Sequence, residues 1–337
     1  MLMAINHQAP DRTPVDIWAE DTVWDRLKRD LGLSTRDQVC ERLESDVRYI
    51  IPTYPADVIT GDVKQNMWGE RWMISNTPWG ADWQHVHGAL FDIDSVDQVD
   101  EFPWPTCDEV DYSTISEQCD RADGCAIAFG NADIFERPGL VRGLENMFCD
   151  TIINPEIVKR LTKIFLDFYI EDFYRVMEAS SGRVDIYYAM TDFGTQYELM
   201  QSKDTFYRFM APSIQALGET VHREGVKFMF HSCGAVRDAI PWLIGLGVDI
   251  LNPIQPAATG MEPQGLKDDF GKELCFHGGI DIQYLLPLKG VDEVKQEVRR
   301  RVEILGKDGG YILAPSHNLQ FDISTENIIA MYDTSLR

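Results

Sequence analysis

Short apolar runs of strand length alternate with segments of helical spacing about eight times along this chain, and no other feature restricts its fold as tightly. The runs fall at residues 14–18, 47–52, 126–129, 184–190, 226–230, 248–251, 274–276 and 311–313. Apolar residues at helical spacing occupy 155–178, 205–223, 236–246, 291–305 and 325–332. Strand followed by helix, repeated in this way, predicts an α/β protein built as a (β/α)8 TIM barrel.

Roughly 250 residues suffice for such a barrel, and the chain has 337. The surplus belongs in insertions. The largest is expected at about residues 59–104, where Trp68, Trp72, Trp79 and Trp83 alternate with Gly69, Pro78 and Gly80. That spacing predicts one or two hairpins over the barrel mouth. The tryptophans either pack a small sheet against the barrel or form an aromatic lid. No repeat, low-complexity tract or linker interrupts the chain, so residues 1–337 are read as one domain.

In a barrel of this kind the reactive side chains stand at the C-terminal ends of the strands. Here those ends carry Trp18 and Glu20, Asn131, Asp192, then His231 and Cys233, Asn252 and Gln255, His277 and Asp281, and finally His317. His231 and Cys233 share one strand-end loop, and His317 occupies an equivalent place near the C-terminus. Together they predict a three-ligand metal site with one position open, the arrangement of catalytic zinc. Otherwise Cys233 is a small buried hydrophobe and the histidines are hydrogen-bonded barrel residues. Two neutral imidazoles and a thiolate leave Zn²⁺ with a formal charge of about +1, which suits Lewis-acid catalysis.

Composition removes several function classes. The formal charge of −24 argues against nucleic acid, anionic membranes and polyanionic substrates as partners. Seven cysteines at unpaired spacings read as reduced thiols. The N-terminus has no basic region followed by an apolar stretch, and no apolar run approaches the roughly 18 residues of a membrane span. A cytoplasmic location is expected.

Several segments together carry a family resemblance: Asp11-Arg12-Thr13-Pro14, Gly143-Leu144-Glu145-Asn146, Asp192-Phe193-Gly194-Thr195-Gln196, His231-Ser232-Cys233-Gly234, Asp249-Ile250-Leu251-Asn252-Pro253, His277-Gly278-Gly279-Ile280-Asp281 and Gly310-Tyr311-Ile312-Leu313-Ala314-Pro315. The chain resembles the uroporphyrinogen decarboxylase superfamily over nearly its whole length. The resemblance implies the barrel that the strand count also predicts. True decarboxylases of the superfamily use no metal and grip an acidic porphyrinogen with arginines after the first strand. Here that stretch reads Asp16-Ile17-Trp18-Ala19-Glu20-Asp21, and like charges would repel such a substrate.

His231 and Cys233 match instead the His-x-Cys of the zinc-dependent corrinoid methyltransferase branch, whose distal ligand is commonly cysteine. Its place here falls at Ser316-His317-Asn318, so His317 is a substituted ligand or a sign that the metal is lost. What the resemblance implies is an enzyme of anaerobic one-carbon metabolism: a methyltransferase component of an O-demethylase, moving a methyl group from a methoxylated, aromatic or other substrate to cobalt on a separate corrinoid protein. Transfer to a small thiol, a metal-free decarboxylase and a non-catalytic binding protein are the alternatives.

On this reading Asp192 and Gln196 either orient substrate and metal ligands or tie two loops together. Asn252, Gln255, Asp281 and Trp18 are candidates for substrate binding. His277 either faces the pocket or belongs to the barrel core, and Glu20 is a proton donor to the leaving oxygen or a surface acid.

Overall fold

The computed structural model describes residues 1–77 and 80–335; Pro78 and Trp79 of the expected insertion lie outside them. Its strands are β1 (Val47–Tyr49), β2 (Val58–Thr60), β3 (Val63–Gln65), β4 (Arg71–Thr77), β5 (Gly80–His87), β6 (Ala126–Asp133), β7 (Ile186–Met190), β8 (Lys227–His231), β9 (Ile250–Ile254), β10 (Cys275–Ile280) and β11 (Tyr311–Pro315). Seven of them form a parallel sheet in the order β1-β6-β7-β8-β9-β10-β11. An extended segment from Pro14 to Glu20 closes the ring. Leu313 N–H donates to Pro14 O at 2.8 Å, and Asp46 N–H donates to Val15 O at 2.9 Å, so this segment lies between β11 and β1. All eight apolar runs thus occupy the ring in sequence order.

The strands read as continuous apolar runs because both of their faces are buried. Val47, Ala126, Ala128, Ile186, Met229, Ile250, Cys275 and Ile312 fill the lumen, with Ile5 from the short helix Leu2–Ile5 at its base. Their neighbours Phe228, Phe230, Leu251, Phe276 and Leu313 face the surrounding helices instead. Period-two alternation along β8 therefore places His231 on the lumen side, one layer above Met229.

The helices follow their predicted positions, but two segments are divided; the one expected at 236–246 starts as the 3-10 turn Arg237–Ala239 before the α-helix Ile240–Gly245. Pro155–Ser180 and Val291–Leu305 run unbroken, whereas the segment expected at 205–223 divides into Lys203–Phe209 and Ala211–Arg223. Pro212 has no N–H to bond back to the preceding turn, and the chain breaks at Met210.

The insertion is a four-stranded antiparallel sheet ordered β2-β3-β4-β5. Trp68 is buried in it and packs on Phe165 and Phe168 of the long helix, with ring centroids 4.3 and 4.9 Å away. This tryptophan is packing, not a lid. Lys64 Nζ lies 5.7 and 5.1 Å from the rings of Trp72 and Trp83.

Candidate metal centre

β8 delivers His231 into the lumen, and the chain then turns sharply. Gly234 makes that turn possible: its φ is +89°, and a Cβ there would lie 2.5 Å from the carbonyl oxygens of Gly194 and Thr195. The loop after β8 is thereby pressed on the loop after β7. Ala235 N–H donates to Thr195 O, and Cys233 N–H to Asp192 Oδ1, both at 2.8 Å. On the far side, Ser316 N–H bonds Ile280 O at 2.8 Å as β11 ends, which sets the position of His317.

The result joins residues from strands that are not neighbours in the sheet. Ligand atoms of His231, Cys233 and His317 all lie within 4.8 Å of one another. His231 Nε2 is 3.5 Å from Cys233 Sγ and 3.7 Å from Asp192 Oδ1. The Nδ1 of His317 is buried and has no hydrogen-bond partner among the described residues, as a nitrogen awaiting a ligand would be.

Burial sets the protonation of this group. It pushes the His231 imidazole down to about 4 against the opposing pull of Asp192, and it lowers His317 in the same direction. Both rings are thus neutral donors near pH 7. Burial, reinforced by the charges of Asp192 and Glu136, raises the Cys233 thiol. Without a cation the sulfur keeps its proton, and a metal would displace it. Two imidazoles and a thiol at this spacing fit tetrahedral zinc with a fourth position left over.

Behind His231 runs a buried chain of hydrogen bonds. Its Nδ1 bonds Asn252 Oδ1, Asn252 Nδ2 bonds His277 Nδ1, and His277 Nε2 lies 2.9 Å from Asp16 Oδ2. Asp16 Oδ2 also accepts from the Tyr49 hydroxyl at 2.6 Å, and Trp18 Nε1–H is shared between that hydroxyl oxygen at 2.6 Å and Asp16 Oδ2 at 3.0 Å. Burial and Asp16 together hold Tyr49 well above the ordinary tyrosine range, so it stays a donor.

In front of His231 is a cavity of about 620 Å³ lined by Trp18, Tyr49, Tyr188, Asn131, His317 and Asn318, among others. The indole of Trp18 stacks on the His231 ring with centroids 5.7 Å apart and planes 9° apart. The aromatic wall comes from barrel strands, whereas Trp68 of the insertion lines a second cavity of about 200 Å³ that shares Gly130 and Asn131 with the first.

The remaining expected residues fall in different places. Asp192 joins the centre through Cys233. Gln196 Nε2 donates to Ala257 O at 2.7 Å, while Gln255 Oε1 accepts from Gly234 N–H at 2.8 Å, and the two amides meet at 3.3 Å; both brace loops. Asn252 and His277 are buried among the histidines instead of facing the cavity. Asp281 Oδ1 accepts from Gln283 and Tyr284 N–H groups of its own turn. Glu20 is half-buried at the N-cap of helix Asp21–Leu31, its N–H bonded to Leu319 O at 3.1 Å.

Two features were missed from sequence. Asp16, read only as an acid where an arginine might stand, turns into the lumen and receives the Trp18, Tyr49 and His277 donors. Its place in an otherwise apolar strand, on the same side as Trp18, was the available signal. Arg36, Arg48 and Arg121 also line the large cavity, so its charge is not set by residues 16–21 alone. Each has other partners: Arg36 pairs with Asp21, Arg121 with Glu117, and Arg48 bonds the carbonyls of Ser45 and Val47.

The family model of uroporphyrinogen decarboxylase (URO-D) matches residues 139–336, more than half the chain, and this chain belongs to that family. A solved methyltransferase from Methanosarcina mazei superposes with a TM-score of 0.69 at 15% identity, over 99% of this chain and 96% of that one; the likeness is one of fold. A D-psicose 3-epimerase from Clostridium cellulolyticum H10 overlaps over 65% of this chain and 80% of its own at 13% identity and a TM-score of 0.36. A dihydropteroate synthase from Xanthomonas albilineans covers 49% and 57%, at 13% identity and a TM-score of 0.33. No curated protein sequence matches the chain. Among the described residues no helix is long and apolar enough to cross a membrane.

Proposed function

We propose that the protein is a zinc-dependent methyltransferase that takes a methyl group from a small methoxylated, aromatic substrate and passes it to a separate corrinoid protein. The observation that carries this reading is the convergence of His231, Cys233 and His317 within 4.8 Å at the mouth of the barrel. The fold shared with the Methanosarcina mazei methyltransferase supports it.

The three residues would hold the metal, and the ion would supply Lewis acidity toward a leaving oxygen. The chain's own contribution is positioning and exclusion of water. His231 would present Nε2, Cys233 would bind as the thiolate, and His317 would contribute from across the ring. Trp18, Tyr49 and Tyr188 wall a cavity whose volume of about 620 Å³ suits a small aromatic ether. In the transfer the methyl–oxygen bond breaks and its electron pair stays with oxygen. The new cobalt–carbon bond uses the electron pair of reduced cobalt brought by the partner.

The test is incubation with methoxylated aromatics and reduced cobalamin, followed by cobalt absorbance. Methyl-cobalt formation that requires the enzyme and zinc is the expected result. No transfer from a broad panel of ethers and methylamines, with the native corrinoid partner also supplied, would overturn the reading. Transfer only between methylcobalamin and a thiol would reverse its direction.

A further inference from the structure

We infer that Asp16, His277 and Asn252 form a one-way positioning chain that holds His231 in the tautomer whose Nε2 is free to bind a metal. The inference rests on His231 being a ligand. It adds that the choice of tautomer is made by a carboxylate three hydrogen bonds away.

The reasoning follows donors and acceptors. An imidazole nitrogen can face either way, and an asparagine amide can be turned end for end, so His231, Asn252 and His277 by themselves permit two directions of hydrogen bonding. Asp16 removes the ambiguity. Its Oδ2 accepts from Tyr49 O–H and Trp18 Nε1–H, and its Oδ1 accepts from Ile17 N–H at 2.7 Å. A carboxylate so placed can only accept, so His277 Nε2, 2.9 Å away, carries the hydrogen.

His277 Nδ1 is then a lone pair and takes an N–H of Asn252. That turns Asn252 Oδ1 toward His231, whose Nδ1 must be the protonated nitrogen. Nε2 of His231 is left bare, and it is the nitrogen on the Cys233 side, 3.5 Å from Sγ.

The opposite direction has two forms. One opposes the His277 lone pair to the Asp16 carboxylate. The other puts a second proton on His277, although Tyr49 O–H and Ile17 N–H already supply donors to the two oxygens of the carboxylate. In either form His231 would carry hydrogen on Nε2, where it blocks a metal. All four residues are nearly inaccessible, between 1% and 4% exposed, so water cannot substitute for a missing partner. The indole of Trp18 lies parallel to the His231 ring, with planes 9° apart.

Long-range ¹H–¹⁵N spectra of the metal-free protein, labelled at histidine, read the tautomers directly. His231 is expected as the Nδ1–H form and His277 as the Nε2–H form. Finding His231 protonated on Nε2, or His277 protonated on both nitrogens, would overturn the inference. Zinc affinity, measured against a chromophoric chelator, should fall roughly 10- to 100-fold in Asp16→Asn and Asn252→Ala. Tyr174→Phe, a change at an exposed position of the helix Pro155–Ser180, should leave it unaltered. Unchanged affinity in both chain variants, with circular dichroism showing them folded, would also overturn it. If the wild type binds no zinc the metal reading fails, and the wild-type tautomers still decide the chain on their own.

Discussion

His277 Nε2 lies 2.9 Å from the carboxylate of Asp16, 261 residues away in the chain. The contact closes the barrel chemically as well as geometrically, because Asp16 sits on the segment that joins β11 to β1 and His277 sits on β10. From there hydrogen bonds lead through Asn252 to His231, so the orientation of one candidate ligand depends on the strand that completes the ring.

Purified protein is expected to contain close to one zinc per chain. Cys233→Ala and His317→Ala should each lower that content by more than about tenfold, since a site of two ligands holds the ion weakly. Elemental analysis after gel filtration is the measurement, and equal zinc in wild type and both variants would end the assignment.

Gly234→Ala should damage the site without touching a ligand. The added methyl would sit 2.5 Å from two carbonyl oxygens, at a φ of +89°, and the loop carrying Cys233 must move to relieve it. A cost of about 2 kcal/mol or more is expected, with loss of zinc binding. Urea unfolding together with metal content would show both effects.

Asn131 holds a φ of +127° within the bulge of β6, where Gly130 crosses β7 too closely for any side chain. Non-glycine residues in such conformations cost roughly 1 to 3 kcal/mol. Asn131→Gly should therefore raise stability by about 1 kcal/mol once the entropy of glycine is offset. Because Asn131 lines both cavities, the same change should raise KM for substrate with little effect on kcat. A variant less stable than wild type would show the backbone to be unstrained.

Asp133 gives a pH signature away from the metal. Burial pushes its carboxyl up to about 7, while its Oδ1 accepts from the N–H groups of Phe135 and Glu136. Between the ordinary carboxylate range near pH 4 and about pH 7, the folded state then binds more protons than the unfolded state. Its stability contribution is complete at low pH and is lost as pH rises through about 7. Asn accepts the same two hydrogen bonds without ionising, so Asp133→Asn should flatten the profile and stabilise the protein at pH 8 by up to about 4 kcal/mol, at about 1.4 kcal/mol for each of the roughly three pH units spanned. Denaturant midpoints at pH 5 and pH 8 are the comparison; an unchanged difference between them would show that Asp133 is not the group responsible.

Much of the barrel was legible in advance because its information is local. A strand buried on both faces must be apolar throughout, so runs such as 226–230 announce themselves without reference to their neighbours. His231 and Cys233 were legible for the same reason, lying two residues apart at the end of one such run. The break at Met210 was also written locally, in Pro212, and was overlooked because the apolar spacing continues across it. The sheet of the insertion was anticipated from its turn residues, but its attachment to the helix Pro155–Ser180 was not, since Trp68 carries no mark of what it will pack against.

The succession of strands and helices and the presence of an imidazole and a thiol at the end of β8 follow from the amino-acid sequence alone, because each is written within a few residues. That His317 reaches those two side chains, and that Asp16 stands behind them through His277 and Asn252, was decided only when the ring closed. Such contacts join residues on different strands, and a hydrogen bond across a closed barrel leaves no spacing in the chain from which it could be read.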